Sequence, residues 1–221
     1  MADQPKFAVV LSGCGVYDGA EVYESVLSIL AIERHGGVAE VLAPDVDQMH
    51  VINHHSGEEA VGETRNVKVE AARIARGPVK ELKEFDPADY DVLLFPGGFG
   101  AAKNLSTFAV EGEACRVDPD VQKAIESMHK AGKPIGALCI SPVLLGRVLP
   151  GVELTIGDNA DVAGKLEQMG ARHRTTTHAE VITDDANRVV TGPCYMLDAT
   201  VPQIAEGAEN VVKALLAMRG G

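Results

Sequence analysis

The sequence predicts an α/β domain built on an open, mostly parallel sheet with helices on both faces. Continuous apolar runs, at residues 7–11 and 91–95, read as strands buried on both faces. Helix-like stretches alternate with such runs, the order expected of a parallel sheet covered by helices. Turns rich in glycine follow two of these strands, at residues 12–18 and 96–103, and a third turn holds Cys139. In open parallel sheets ligands bind beyond the carboxyl ends of the strands, so these three loops define the expected site.

The elements follow in order. Residues 7–11 form the first strand. Asp18-x-x-Glu21 has the pattern of a capping box ahead of the apolar set Val22, Val26, Leu27, Ile29 and Leu30. A helix is therefore expected to start at Asp18 and to stop at Gly36-Gly37. Residues 38–43 form a second strand and 91–95 a third. Residues 118–131 look helical, and the apolar strand after them ends at Cys139. Residues 180–183 and 188–191 flank a turn, which is a hairpin signal. Residues 201–218 form an amphipathic closing helix with Ile204, Val211, Val212, Leu215 and Leu216 on its apolar face. Residues 44–85 are polar, carry several histidines and read as an irregular excursion over the site. Residues 1–221 are thus expected to form a single domain with this excursion and no internal repeat.

The chain has 221 residues, enough for one α/β domain with a sizeable core. Its net charge of -12 repels phosphate backbones and anionic lipid, so neither nucleic acid nor a membrane is an expected partner. The first residues hold no long apolar run, and neither a signal peptide nor a membrane span is expected. Cys14, Cys115, Cys139 and Cys194 are spaced too widely for a zinc site or a disulfide framework. A reducing cytoplasm fits that usage best.

Cys139 is the strongest candidate for chemistry. The run Pro134-Ile135-Gly136-Ala137-Leu138 ends at it, and a helix-like stretch from Ser141-Pro142 begins at once. That is a strand-to-helix nucleophile elbow with Cys where a hydrolase carries Ser. Free N–H groups and the positive dipole end at such a helix start favour a thiolate, so a lowered thiol pKa is expected. The plainer alternative is a buried Cys packed as a small hydrophobe. Pro96-Gly97-Gly98-Phe99-Gly100 ends a strand at the same sheet edge. Its Gly98 N–H, paired with the Ile140 N–H, would make an oxyanion hole. Glu21 has a capping task of its own. Glu24, one turn further, is free to meet the Cys139 sulfur, unless it belongs to a solvated helix face.

Other patterns are weaker. His50, His54 and His55 have no carboxylate or thiol completing a tight set, and Val51-Ile52 favours extended chain that would separate the rings. No metal is expected. Gly13-x-Gly15-x-x-x-Gly19 misses the dinucleotide fingerprint by one residue, and Asp18, Glu21 and Glu24 crowd the place of a pyrophosphate. No cofactor is expected.

Residues 24–36, 94–105 and 137–142 together resemble the DJ-1/PfpI superfamily: its glutamate helix with Glu24 in the glutamate's place, its glycine loop, and its elbow at Cys139. Residues 11–19, 51–54, 63–66 and 97–105 resemble more narrowly the bacterial branch named for enhancing lycopene biosynthesis. The resemblance implies a flavodoxin-like, class I glutamine amidotransferase-like fold and a homodimer. It implies a glyoxalase III-like lyase acting on glyoxal, a small dicarbonyl, with a debated relation to deglycation and a link to isoprenoid synthesis. Peptidase and amidotransferase members carry a triad His, in peptidases directly after the Cys, where this chain has Ile140. Other glyoxalase-type members carry a His on a later loop; the comparable residues 154–159 hold none. Peptidase and glutaminase activity are therefore not expected, and a glyoxalase without the His should be slow. The alternative is a redox-sensing or regulatory protein in which Cys14 or Cys194 resolves an oxidised Cys139. Arg65 and Asn66 are candidates to close over the site.

Overall fold

The structure is a computed structural model. It describes residues 4–220; residues 1–3 of the expected domain, and Gly221, lie outside the described residues. The strands in chain order are β1 (Lys6–Val10), β2 (Val38–Ala43), β3 (Ile52–Asn53), β4 (Glu58–Glu59), β5 (Lys80–Glu81), β6 (Val92–Phe95), β7 (Ile135–Leu138), β8 (Glu153–Leu154), β9 (Arg172–His173), β10 (Ile182–Asp184) and β11 (Val189–Gly192). The α-helices are α1 (Val22–Arg34), α2 (Val67–Ala75), α3 (Phe99–Lys103), α4 (Phe108–Glu111), α5 (Pro119–Lys130), α6 (Pro142–Val148), α7 (Ala160–Gln168) and α8 (Val201–Arg219).

Seven strands form one sheet in the order β10-β11-β7-β6-β1-β2-β5. All neighbours are parallel except β10 and β11. The expected fold class is correct: a mostly parallel, flavodoxin-like sheet flanked by helices. Strands β6, β7 and β11 are buried at every position, which is why each reads as an unbroken run of apolar and small residues. Helices α1 and α8 pack on one another, while α5 packs on α6. The closing helix buries Ile204, Val211, Val212 and Leu215, with Leu216 partly covered.

Three expectations need correction. Asp18 does not cap α1; Glu21 does, accepting the Glu24 N–H at 2.6 Å. The loop before it is closed on itself by Gly15 N–H to Ala20 O and Gly19 N–H to Gly15 O. Asp18 therefore stays in the loop, and its carboxylate accepts the Ile52 N–H at 2.7 Å. Second, the apolar set of α1 faces the core only in part: Leu27 packs against it, half-buried. Val22, Val26 and Leu30 are exposed, and the buried face is Glu24, Ser25, Ser28, Ala31 and Ile32. Third, residues 44–85 are not irregular throughout: they hold α2, capped by the Asn66 side chain, and β5, which extends the sheet beside β2. No described helix is long and apolar enough to cross a membrane.

Candidate active site

Four loops meet beyond the carboxyl ends of β1, β6, β7 and β11. The sheet order puts β7 between β6 and β11, so the turn at Cys139 is flanked by the glycine loop and by residues 193–195. Cys139 directly follows β7 with φ 59°, a left-handed conformation that a non-glycine residue adopts at a cost of about 1–3 kcal/mol. Its N–H donates to Gly192 O at 3.0 Å, and Ser141 Oγ donates to Pro96 O at 2.7 Å. These bonds tie the elbow to both neighbouring loops. Helix α6 then starts with Pro142, whose ring suits the first turn.

Glu24 is wholly buried. It occupies the third position of α1, where a capping box would send its side chain back to the Glu21 N–H. That N–H is already used by Gly97 O at 2.9 Å. The carboxyl points across the sheet edge instead. One oxygen accepts the Gly97 N–H at 2.8 Å and the other the Tyr195 N–H at 3.0 Å. Its side chain also hydrogen-bonds the Cys139 thiol. Burial raises the Glu24 pKa to about 8, with the Glu21 carboxylate adding in the same direction and the two N–H groups opposing.

The N–H groups of Gly98 and Ile140 both hydrogen-bond the Cys139 sulfur. The structure thus brings together Cys139, Glu24, Gly98 and Ile140. Gly98 has φ 100°, and a Cβ there would strike the backbone of Gly19 and Glu21. A Cβ on Gly97 would overlap Cys139 and the Glu24 carboxyl. The sulfur is therefore packed between two main-chain donors and one carboxyl, and Cys139 is only 7% exposed.

The expected fall in thiol pKa is wrong in sign. Burial, and next the Glu24 charge, push the Cys139 thiol well above its ordinary value, against the pull of the Gly98 and Ile140 N–H groups. The turn was legible in the sequence; the loss of water around it was not. The two acids face each other across one hydrogen bond and titrate as a pair. Whichever of them loses a proton raises the pKa of the other.

The histidines do not reach this pair. None is a hydrogen-bond partner of Cys139 among the described residues. His50 Nε2 accepts from Lys103 Nζ at 2.9 Å. His54 takes the Tyr17 N–H on Nε2 at 3.2 Å and places Nδ1 3.0 Å from Ile52 O. It fills the space beside Gly15 where any Cβ would collide with the ring. His55 is exposed. Among the described residues no three of His, Cys, Asp and Glu converge to hold a metal ion. His173 Nε2 lies 3.4 Å from the Ile156 N–H. Arg65 ion-pairs with Glu63 and Glu70, and Asn66 caps α2.

Two contributors escape a reading of side-chain types. Gly97 and Tyr195 act through their main-chain N–H groups. The double glycine marked the first; for Tyr195 the only signal is that β11 pairs with β7 in parallel, which the hairpin pattern concealed.

The profile of the DJ-1/PfpI family matches residues 14–193. The human glutamine amidotransferase-like class 1 domain-containing protein 3, mitochondrial, is 44% identical over 97% of this chain and 84% of its own length. The zebrafish ES1 protein, mitochondrial, is 34% identical over 96% of this chain and 85% of its own length. An Ehrlichia chaffeensis isoprenoid biosynthesis protein with an amidotransferase-like domain superposes with a TM-score of 0.89 at 33% identity, over 96% of this chain and 99% of that one. Glyoxalase III from Candida albicans, at 17% identity, shares the fold with a TM-score of 0.61 over 97% of each chain. The names of the human and zebrafish relatives place them in mitochondria and lend no support to a cytoplasmic location for this chain. With the elbow, the glycine loop and the buried glutamate in one place, the chain belongs to the DJ-1/PfpI family.

Proposed function

We propose that this protein is a slow, cofactor-free glyoxalase that converts glyoxal to glycolate. The observation that carries the reading is the Glu24 carboxyl, fully buried, hydrogen-bonded to Cys139 and with its pKa raised to about 8. A carboxyl tuned near neutrality is suited to both give and take a proton. The Cys139 thiol gives its proton to the Glu24 carboxylate as its sulfur adds to one aldehyde carbon of glyoxal, and Glu24 passes that proton to the oxygen on the same carbon, leaving a hemithioacetal and a carboxylate free to act as base. Glu24 takes the proton from that carbon and, through an enediolate, returns it to the second carbon. The product is a thioester of glycolate, which water cleaves to release glycolate and the thiol. The Gly98 and Ile140 N–H groups, already aimed at the sulfur, stabilise the oxyanion formed beside it.

The near-closed thiol favours a two-carbon dicarbonyl over bulkier substrates. Without a histidine, one carboxyl must serve every proton transfer. A positioned acid or base contributes about 10²–10⁴-fold, so turnover should fall short of a histidine-equipped enzyme by a factor in that range. The reading is tested by following glycolate formation from glyoxal, with methylglyoxal as comparison, in buffer free of amines. Glycolate formed faster from glyoxal than lactate from methylglyoxal is the expected result. No turnover of either substrate above buffer would refute it.

A further inference from the structure

Ser141 stands at the N-cap of α6, and its hydroxyl does not cap that helix. A serine in that place ordinarily accepts an N–H from the first turn of its own helix. This one is wholly buried and donates to Pro96 O at 2.7 Å, 45 residues earlier in the chain. A local bond is given up for a distant one, and the distant one ends beside Glu24.

The C=O of Pro96 and the N–H of Gly97 belong to one planar peptide and point to opposite sides of it. Ser141 holds the oxygen, and the N–H on the far side donates to Glu24 Oε2 at 2.8 Å. The next peptide repeats the arrangement. Gly97 O accepts the Glu21 N–H at 2.9 Å, and the Gly98 N–H opposite it meets the Cys139 sulfur. Each of these two peptides is gripped at its oxygen and acts through its N–H. The grips matter because Gly97, lying between the two peptides, has no Cβ to resist their rotation. A turned Pro96–Gly97 peptide would face the Glu24 carboxyl with an oxygen in place of a donor. Of the two grips, Ser141 is the one made by a side chain.

We propose that Ser141 is a positioning residue of the site: by holding Pro96 O it fixes the Pro96–Gly97 peptide and aims the Gly97 N–H at the Glu24 carboxyl. Ser141 acts on the chemistry only through Gly97. This role rests on the reading of Glu24 as the group that moves protons for Cys139.

The test compares urea unfolding of the parent protein and Ser141→Ala from about pH 5 to about pH 9.5. The Gly97 N–H favours the Glu24 carboxylate, whose pKa is about 8 in the parent. Without that donor Glu24 should keep its proton to a pH higher by about one unit. The decline in stability that levels off above about pH 8 in the parent should then continue to about pH 9 in the variant. Ser141→Cys is similar in size and a weaker donor; it should show a shift in the same direction and serves if Ser141→Ala does not fold. Midpoints lowered by the same amount at every pH would mean that Ser141 only supports the fold, and would overturn the proposal. Glycolate formation from glyoxal is followed in parallel and should be several-fold slower in Ser141→Ala. A parent protein without turnover would remove the glyoxalase reading, while the unfolding comparison would still decide the role of Ser141.

Discussion

At Glu24 an acidic side chain is kept out of water and accepts two main-chain N–H groups, from Gly97 and Tyr195. Its pKa rises from an ordinary 4.5 to about 8, chiefly through burial. Below 4.5 both folded and unfolded chains hold the proton. Between 4.5 and 8 the folded chain holds it and the unfolded chain does not, so stability falls as pH rises through that window. Urea unfolding midpoints should therefore decline from about pH 5 to about pH 8 and level off above it. Glu24→Gln should remove that decline. The amide accepts from only one of the two N–H groups, so the variant should lose about 1–3 kcal/mol at low pH. A variant that keeps the parent's pH dependence would show that Glu24 is not the group responsible. Cys139 shows what a residue's local pattern leaves out. The strand-to-helix turn was legible because Leu138, Cys139 and Ser141-Pro142 encode it locally. The direction of its pKa was not, because burial comes from loops distant in sequence.

Among the elements, α1 departs most from its pattern. Its large apolar residues Val22, Tyr23, Val26 and Leu30 are exposed, while its buried face is one glutamate, two serines, Ala31 and Ile32. Small residues there let α1 approach α8 closely and bring Glu24 to the sheet edge. A periodicity argument assigns the bulky stripe to the core, and nothing local shows that the core takes the other face. Strands β1, β6 and β7 were legible to within a residue at each end, because burial leaves near-continuous apolar runs; β2, only partly buried and broken by Glu40, was legible from its flanking Gly36-Gly37 and its β-branched residues. Helix α2 and β5 were not: α2 lies inside a long polar stretch that masks its start, and β5 is Lys80-Glu81, two charged residues too few to show a pattern. The glycine loop was recognised, and Gly97 is the member of it that packs directly on the Cys139 and Glu24 side chains. Gly97→Ala would set a methyl group against Cys139 and Glu24. It should destabilise the fold by about 1–3 kcal/mol and displace Cys139 from Glu24. Thermal melts and the rate of Cys139 alkylation measure both effects, and a variant unchanged in each would contradict this packing.

For the whole molecule, the exposed stripe of α1 is the surface on which we expect the homodimer implied by the family to form. The Tyr23 and Tyr195 rings, 6.5 Å apart, carry that stripe to the residue whose N–H holds Glu24. A second copy would bury residues that a solvated helix face does not need, and would shield the site from bulk water. Val26→Lys should convert a dimer to a monomer in light scattering while leaving the circular dichroism spectrum unchanged; a parent protein that is monomeric at micromolar concentration would remove the expectation. The sheet order explains why one thiol, one carboxyl and three loops meet at a single edge, and β11 brings the fourth. Joint action of Cys139 and Glu24 on a small dicarbonyl is tested by glycolate formation from glyoxal by the parent protein, Cys139→Ala and Glu24→Gln under identical conditions. Measurable turnover by the parent, none above buffer for Cys139→Ala, and a loss of about 10²-fold or more for Glu24→Gln are expected. Parent-level turnover by Cys139→Ala would contradict that joint action.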